Sequence, residues 1–156
     1  MTKSSKELYI EKIYKNILNK IEKSIGNLTT YSTQLERLGK KLFGIKFRGV
    51  FASNQIPKLS DLTPYCILNL DKSTQPGSHW ISISKTPSKQ EIVIYDSFAR
   101  KHNTIIKALA HSGNGRIIDS DLKDREQEIH ETNCGQKSIS WLVVVDKYGI
   151  DLAKLI

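Results

Sequence analysis

Two strand-like segments joined by a tight turn constrain this chain most. They are His79-Trp-Ile-Ser-Ile-Ser84 and Glu91-Ile-Val-Ile-Tyr-Asp-Ser-Phe98, with Pro87-Ser-Lys89 between them. Clear alternation in the first, a β-branched run in the second and turn formers at their ends predict strands. A third such run, Cys66-Ile-Leu-Asn-Leu-Asp71, precedes them across a turn at Lys72–Ser78. The three form an expected antiparallel meander. His79 then stands at the start of one strand and Asp96 near the end of its neighbour. The hairpin brings an imidazole and a carboxylate side by side.

Helical periodicity fills much of the rest. Over residues 6–26, Ile10, Ile13, Ile17, Ile21 and Ile25 recur at spacings of three and four, with Tyr14 and Leu18 beside them and Gly26-Asn27 as the stop. A second helix is expected over about residues 32–43, with Leu35, Leu38 and Leu42 on one face and Gly44 as its end. Residues 47–57 read as an extended segment entering a loop. A short helix is expected from Asn103 to Ala110 and a fourth strand at Arg116–Asp119. An apolar helix from Gly135 to about Lys147 is expected at the centre of the protein. Elements of this kind make an α+β fold, a small antiparallel sheet flanked by helices. No repeat or linker divides the chain, so a single compact domain is expected.

At 156 residues the chain is long enough for one sizeable core. Its longest apolar run, Trp141–Val145, is far too short for a transmembrane helix. The amino terminus lacks the apolar core of a signal peptide, so secretion by that route is not expected. Two cysteines, Cys66 and Cys134, do not make a disulfide scaffold. No Cys/His cluster has zinc spacing, so no metal is expected. The net charge is +8, and lysine supplies 19 of the 24 basic residues. A polyanion partner would use such a charge. A lysine- and isoleucine-rich composition accounts for it slightly better, because no arginine-rich tract interleaved with aromatics is present.

Cys134 lies between Asn133 and Gly135, just ahead of the apolar helix. A thiol at a helix amino terminus feels the positive end of the dipole, which favours the thiolate. His79, 55 residues earlier, is the candidate base, and Asp96 the carboxylate that orients it. Taken alone, Cys134 would be a buried structural thiol and His79 a structural histidine. Their contexts favour chemistry. His102, His111 and His130 are rival bases, and His130 is the second choice for its closeness to Cys134. Glu91, Asp119, Asp121 and Asp124 are rival acids. Trp80 is either core or a shield beside the base. Cys66 reads as a packing thiol.

The order Gly77-Ser-His79-Trp80, Tyr95-Asp96-Ser97-Phe98, Gln127 and Asn133-Cys134-Gly135 resembles the adenovirus maturation protease (adenain) and related Ulp-type cysteine proteases. Leu35-Glu-Arg-Leu-Gly39, Phe47-Arg-Gly-Val-Phe51 and Asn54-Gln-Ile-Pro57 are similar to the helix and substrate-edge segment of viral members, though less specifically. The resemblance spans roughly residues 31–148 and is greatest to virophage and polinton-type enzymes. It implies an adenain/Ulp-like fold with the catalytic cysteine at the start of a central helix. It also implies a protease domain over 31–156 with residues 1–30 as a helical extension.

On the same ground Gln127, otherwise a solvated loop residue, becomes an oxyanion donor, completing a catalytic set of His79, Asp96, Gln127 and Cys134. Trp80, Asn54, Gln55 and Gly135 become substrate-binding residues in a cleft that favours small residues, glycine among them. The implied activity is endopeptidase cleavage of capsid and virion precursors during maturation, in the virion and the host-cell cytoplasm or viral factory. The alternatives are a Ulp-like deubiquitinase or deSUMOylase, which would share the same residues, and a non-catalytic basic DNA-binding virion protein. Capsid precursor is the expected partner, DNA a weak and non-specific one that could also activate, and no membrane is expected. The chain ends 22 residues after Cys134, short of the adenovirus enzyme's carboxy-terminal region. It also has no cysteine between Asp96 and Gln127, where that enzyme holds its activating peptide, so no disulfide-linked peptide cofactor is expected.

Overall fold

The computed structural model describes residues 2–70, 79–98, 102–119 and 132–156. Helix α1, Ser5–Ile25, opens with a capping box. The Glu7 backbone N–H donates to Ser4 Oγ at 3.1 Å, and the Ser4 N–H donates back to the Glu7 carboxylate at 3.4 Å. Its buried stripe is Ile10, Tyr14, Leu18 and Ile21, while Ile13, Ile17 and Ile25 are only partly buried. The stripe thus centres on the side of the helix that carries Tyr14 and Leu18, with Ile13, Ile17 and Ile25 at its margin. Tyr14 is drawn inward by its hydroxyl, 2.8 Å from that of Tyr95.

Helix α2, Ser32–Phe43, has the bounds expected from its sequence, but its buried face is Leu35, Gly39 and Phe43. Leu42 is exposed. Gly39 lies against the Phe47 ring so closely that any Cβ there would overlap it.

Five strands make one sheet in the order β1-β2-β3-β4-β5. They are β1 (Phe47–Ala52), β2 (Tyr65–Asn69), β3 (Trp80–Lys85), β4 (Glu91–Tyr95) and β5 (Arg116–Ile118). The meander β2–β3–β4 is antiparallel, as its sequence predicts. The sheet as a whole is mixed, which corrects the antiparallel expectation: β1 runs parallel to β2, and β5 parallel to β4. Parallel neighbours need a crossover connection. Residues 53–64 supply one, and the segment holding helix α3, Asn103–His111, supplies the other. Asn114 ties the first to the second, accepting from the Leu59 N–H and donating to the Pro57 and Leu109 carbonyls.

Both faces of β2–β4 are covered. Tyr65, Ile67, Trp80, Val93 and Tyr95 face α1, α2 and the helices α4 (Cys134–Tyr148) and α5 (Ile150–Ala153). Cys66, Leu68, Ile81, Ile83, Ile92 and Ile94 face Leu59 and the Ile105 and Leu109 side chains of α3. The alternation in β3 therefore does not mark a wet face. Ser82 and Ser84 are both fully buried on the α4 side. Small side chains there let α4 lie close, and its Ser138 hydroxyl donates to the Trp80 carbonyl at 3.1 Å. No residue of α4 from Cys134 to Val145 escapes burial. Among the described residues no helix is long and apolar enough to cross a membrane.

Candidate functional site

The register gathers the chemistry-bearing residues at one end of the sheet. Ala52 pairs with Asn69, Asn69 with Trp80, and Ser82 with Tyr95. The segments just beyond β1, β2, β4 and β5 thus meet the segment just before β3. His79 precedes β3, Asp96 follows β4, and Asp119 follows β5. The amino terminus of α4 arrives at the same place with Cys134 as its first residue.

His79, Asp96 and Cys134 come together. His79 Nε2 lies 2.6 Å from Asp96 Oδ1, with both side chains almost wholly buried. The same oxygen accepts the Phe98 backbone N–H at 2.8 Å, so Asp96 also shapes the turn in which it sits. The Phe98 ring lies against the imidazole with centroids 4.4 Å apart, which restricts its rotation. The other ring nitrogen, Nδ1, is buried and makes no aligned hydrogen bond among the described residues. Cys134 nevertheless acts on the ring. Burial disfavours a charge on His79, but Asp96 and then Cys134 outweigh it and hold the imidazole pKa above its ordinary value. The Cys134 sulfur accepts the Trp80 backbone N–H at 3.4 Å. Cys66 lies in the cluster on the opposite face of the sheet, where burial pushes its thiol up to about 12.

Trp80 is core and strap anchor at once. Its indole N–H donates to the Thr30 carbonyl at 3.2 Å. Gln136 donates to the carbonyls of Gly26 and Leu28, 2.8 Å each, and Asn133 donates to Glu22. The α1–α2 connection is thereby strapped across the start of α4. Gly135 packs against Thr30 and Leu35 in this strap. Asn54 and Gln55 lie in the exposed turn after β1, closed by the Gln55 N–H on the Ala52 carbonyl at 3.0 Å. Gln127, the expected oxyanion donor, and the rival residues His130, Asp121 and Asp124 lie outside the described residues.

Two residues weighed only as rivals belong to the cluster. His102 Nε2 is 2.8 Å from the second Asp96 oxygen, Oδ2, and His102 Nδ1 is 2.5 Å from Asp119 Oδ1. Asp96 therefore lies between two imidazoles. Burial alone would raise its pKa, but the hydrogen bonds from His102 and His79 hold it well below the usual carboxylate range. The signal that could have found the pair was topological, because parallel β4 and β5 bring Asp119 to the end of the sheet where Asp96 lies. Glu91, the other rival acid, begins β4 at the far end and pairs with Lys154. No group of His, Cys, Asp and Glu among the described residues has the arrangement of a metal site. Compared with known protein families the chain matches none, and no curated protein matches it significantly.

Proposed function

We propose that this chain is a cysteine endopeptidase of the adenain/Ulp type that cleaves capsid and virion precursors during maturation. The observation that carries the reading is the arrangement of His79. Asp96 occupies one ring nitrogen at 2.6 Å, and Cys134, at the amino end of a buried helix, bears on the ring from elsewhere. A nucleophile, a base and an orienting acid in that order of contact perform acyl transfer.

In this mechanism the Cys134 sulfur, its proton held by His79, attacks the scissile carbonyl carbon and forms a C–S bond. The Cys134 backbone N–H and the Gln127 side chain receive the developing oxyanion. His79 gives its proton to the leaving amine as the C–N bond breaks. Water, deprotonated by His79, then hydrolyses the thioester and restores the thiol. Asp96 keeps the imidazole in the tautomer and orientation both steps need. The basic balance of the chain supports a weak contact with DNA phosphates inside a particle, where the substrate is concentrated.

The test is to present the purified protein with capsid precursor and, separately, with ubiquitin-like conjugates. Cleavage of the precursor that is lost in Cys134→Ala supports the reading. Cleavage of the conjugates alone makes the protein an isopeptidase, and no cleavage of either by a folded protein overturns both. Gln127→Ala should lower kcat by about 10²–10³ with little change in KM, as loss of one oxyanion donor does.

A further inference from the structure

His79 and the Phe98 N–H use only one oxygen of the Asp96 carboxylate. The other is held by His102, whose side chain is 2% exposed where that of Asp96 is 0%. Asp119 grips His102 twice, through Nδ1 at 2.5 Å and through its backbone N–H at 2.8 Å. Carboxylate oxygens only accept hydrogen bonds. A histidine that faces one with each nitrogen must donate from both, and only the imidazolium has two N–H groups. Charges therefore alternate along a buried chain: Asp119 negative, His102 positive, Asp96 negative, His79 next to Cys134.

Resting on the peptidase reading, we propose that His102 is a positioning residue for the reaction. Held as a cation by Asp119, it fixes the Asp96 carboxylate so that Oδ1 stays on His79 Nε2 and His79 stays oriented for Cys134. A buried carboxylate with one idle oxygen has two escapes, rotation about its own axis and uptake of a proton. His102 closes both. The titration behaviour agrees with the geometry. Burial works against charge on His102, yet Asp96 and Asp119, the groups that act on it among the described residues, favour its cation and lift its pKa above the ordinary value.

Two measurements on the full chain test this. In protein labelled with ¹⁵N-histidine, both His102 nitrogens should carry protons at neutral pH, and a neutral tautomer overturns the proposal. The second follows iodoacetamide alkylation of Cys134 and peptide hydrolysis against pH in wild type, His102→Leu, His102→Gln, Asp119→Asn and His79→Ala. Without the His102 cation Asp96 takes up a proton more readily. The acid limb of kcat/KM should then move up by about one unit in His102→Leu, about tenfold in rate below both limbs. KM should hold, because His102 does not touch substrate.

Asp119→Asn should shift the limb the same way by less, and it carries the test if His102→Leu does not fold. His102→Gln, which still donates to Asp96, should recover part of the plateau rate but not the acid limb. Profiles of His102→Leu and Asp119→Asn that superimpose on wild type, while His79→Ala alters alkylation, overturn the proposal and leave the peptidase reading standing. If His79→Ala also leaves alkylation unchanged, the peptidase reading itself fails.

Discussion

The backbone N–H of Trp80 points at the sulfur of Cys134, 3.4 Å away. The start of β3 and the start of the helix that carries the thiol thus meet at the sulfur. Cys66 lies on the other face of the sheet among isoleucines and leucines, with its thiol pushed up to about 12 by burial. Iodoacetamide should therefore label Cys134 and spare Cys66 in the native protein. Cys134→Ala should fold normally and lose all peptidase activity, while Cys66→Ala keeps it. Mass spectrometry of the labelled peptides reads the first point. An active Cys134→Ala protein would remove the nucleophile from the proposed mechanism.

His79 and Asp96 touch at 2.6 Å with almost no solvent between them. Asp96→Asn preserves shape but can offer the imidazole an N–H where it needs an acceptor, which stabilises the wrong tautomer. The loss of kcat should be at least about 10²-fold and approach the roughly 10⁴-fold known for the equivalent change in a serine triad. His79→Ala should be at least as damaging. Steady-state kinetics on a capsid-derived peptide measure both. If His79→Ala retained activity and His130→Ala did not, the base would have to be reassigned.

The meander was legible because alternation and a turn are local signals, and it carried the His79–Asp96 pairing with it. The direction of β1 and β5 was not legible. Whether an edge strand runs parallel depends on where its connection crosses, which residues 47–57 do not encode in their own pattern. The same gap hid the link from Asp96 through His102 to Asp119, because Asp119 reaches this end of the sheet on β5, parallel to β4. The burial of the β3 serines has another cause. Ser82 and Ser84 are buried and make room for a helix.

The histidine–carboxylate cluster should leave a mark on stability against pH. His79 and His102 have folded pKa values raised above the ordinary 6.5. Their contribution is complete below 6.5 and is lost as pH rises through the folded values. Asp96 is held well below 3.8, so its contribution is present above 3.8 and lost as pH falls through its folded value. The cluster stabilises most between about pH 4 and 6.5. Denaturant unfolding of wild type and of His79→Gln/His102→Gln should differ most across that window and converge toward alkaline pH. A difference that stays constant with pH would mean that the histidines are not charged in the native protein.

Gly135 yields the last prediction, and its sign is the test. It is the second residue of α4, where alanine would ordinarily be the better helix former by about 1 kcal/mol. Here a Cβ would overlap Thr30 Oγ1 and press Leu35 Cδ1 at 3.3 Å. Thr30 cannot easily retreat, because it is buried and its carbonyl holds the Trp80 indole. Gly135→Ala should therefore destabilise by about 1–3 kcal/mol, the cost of overpacking a filled site. Thr30 Oγ1 makes no hydrogen bond among the described residues, so Thr30→Ala alone should be mild. In the double variant the overlap with Oγ1 is gone, and the Thr30 Cβ at 3.2 Å and Leu35 Cδ1 at 3.3 Å remain close. The two changes should then couple favourably by more than about 0.5 kcal/mol in a double-mutant cycle. Urea unfolding of the four proteins measures the cycle. A Gly135→Ala protein as stable as wild type would mean that the strap over α4 is looser than the packing of Thr30 on Gly135 requires.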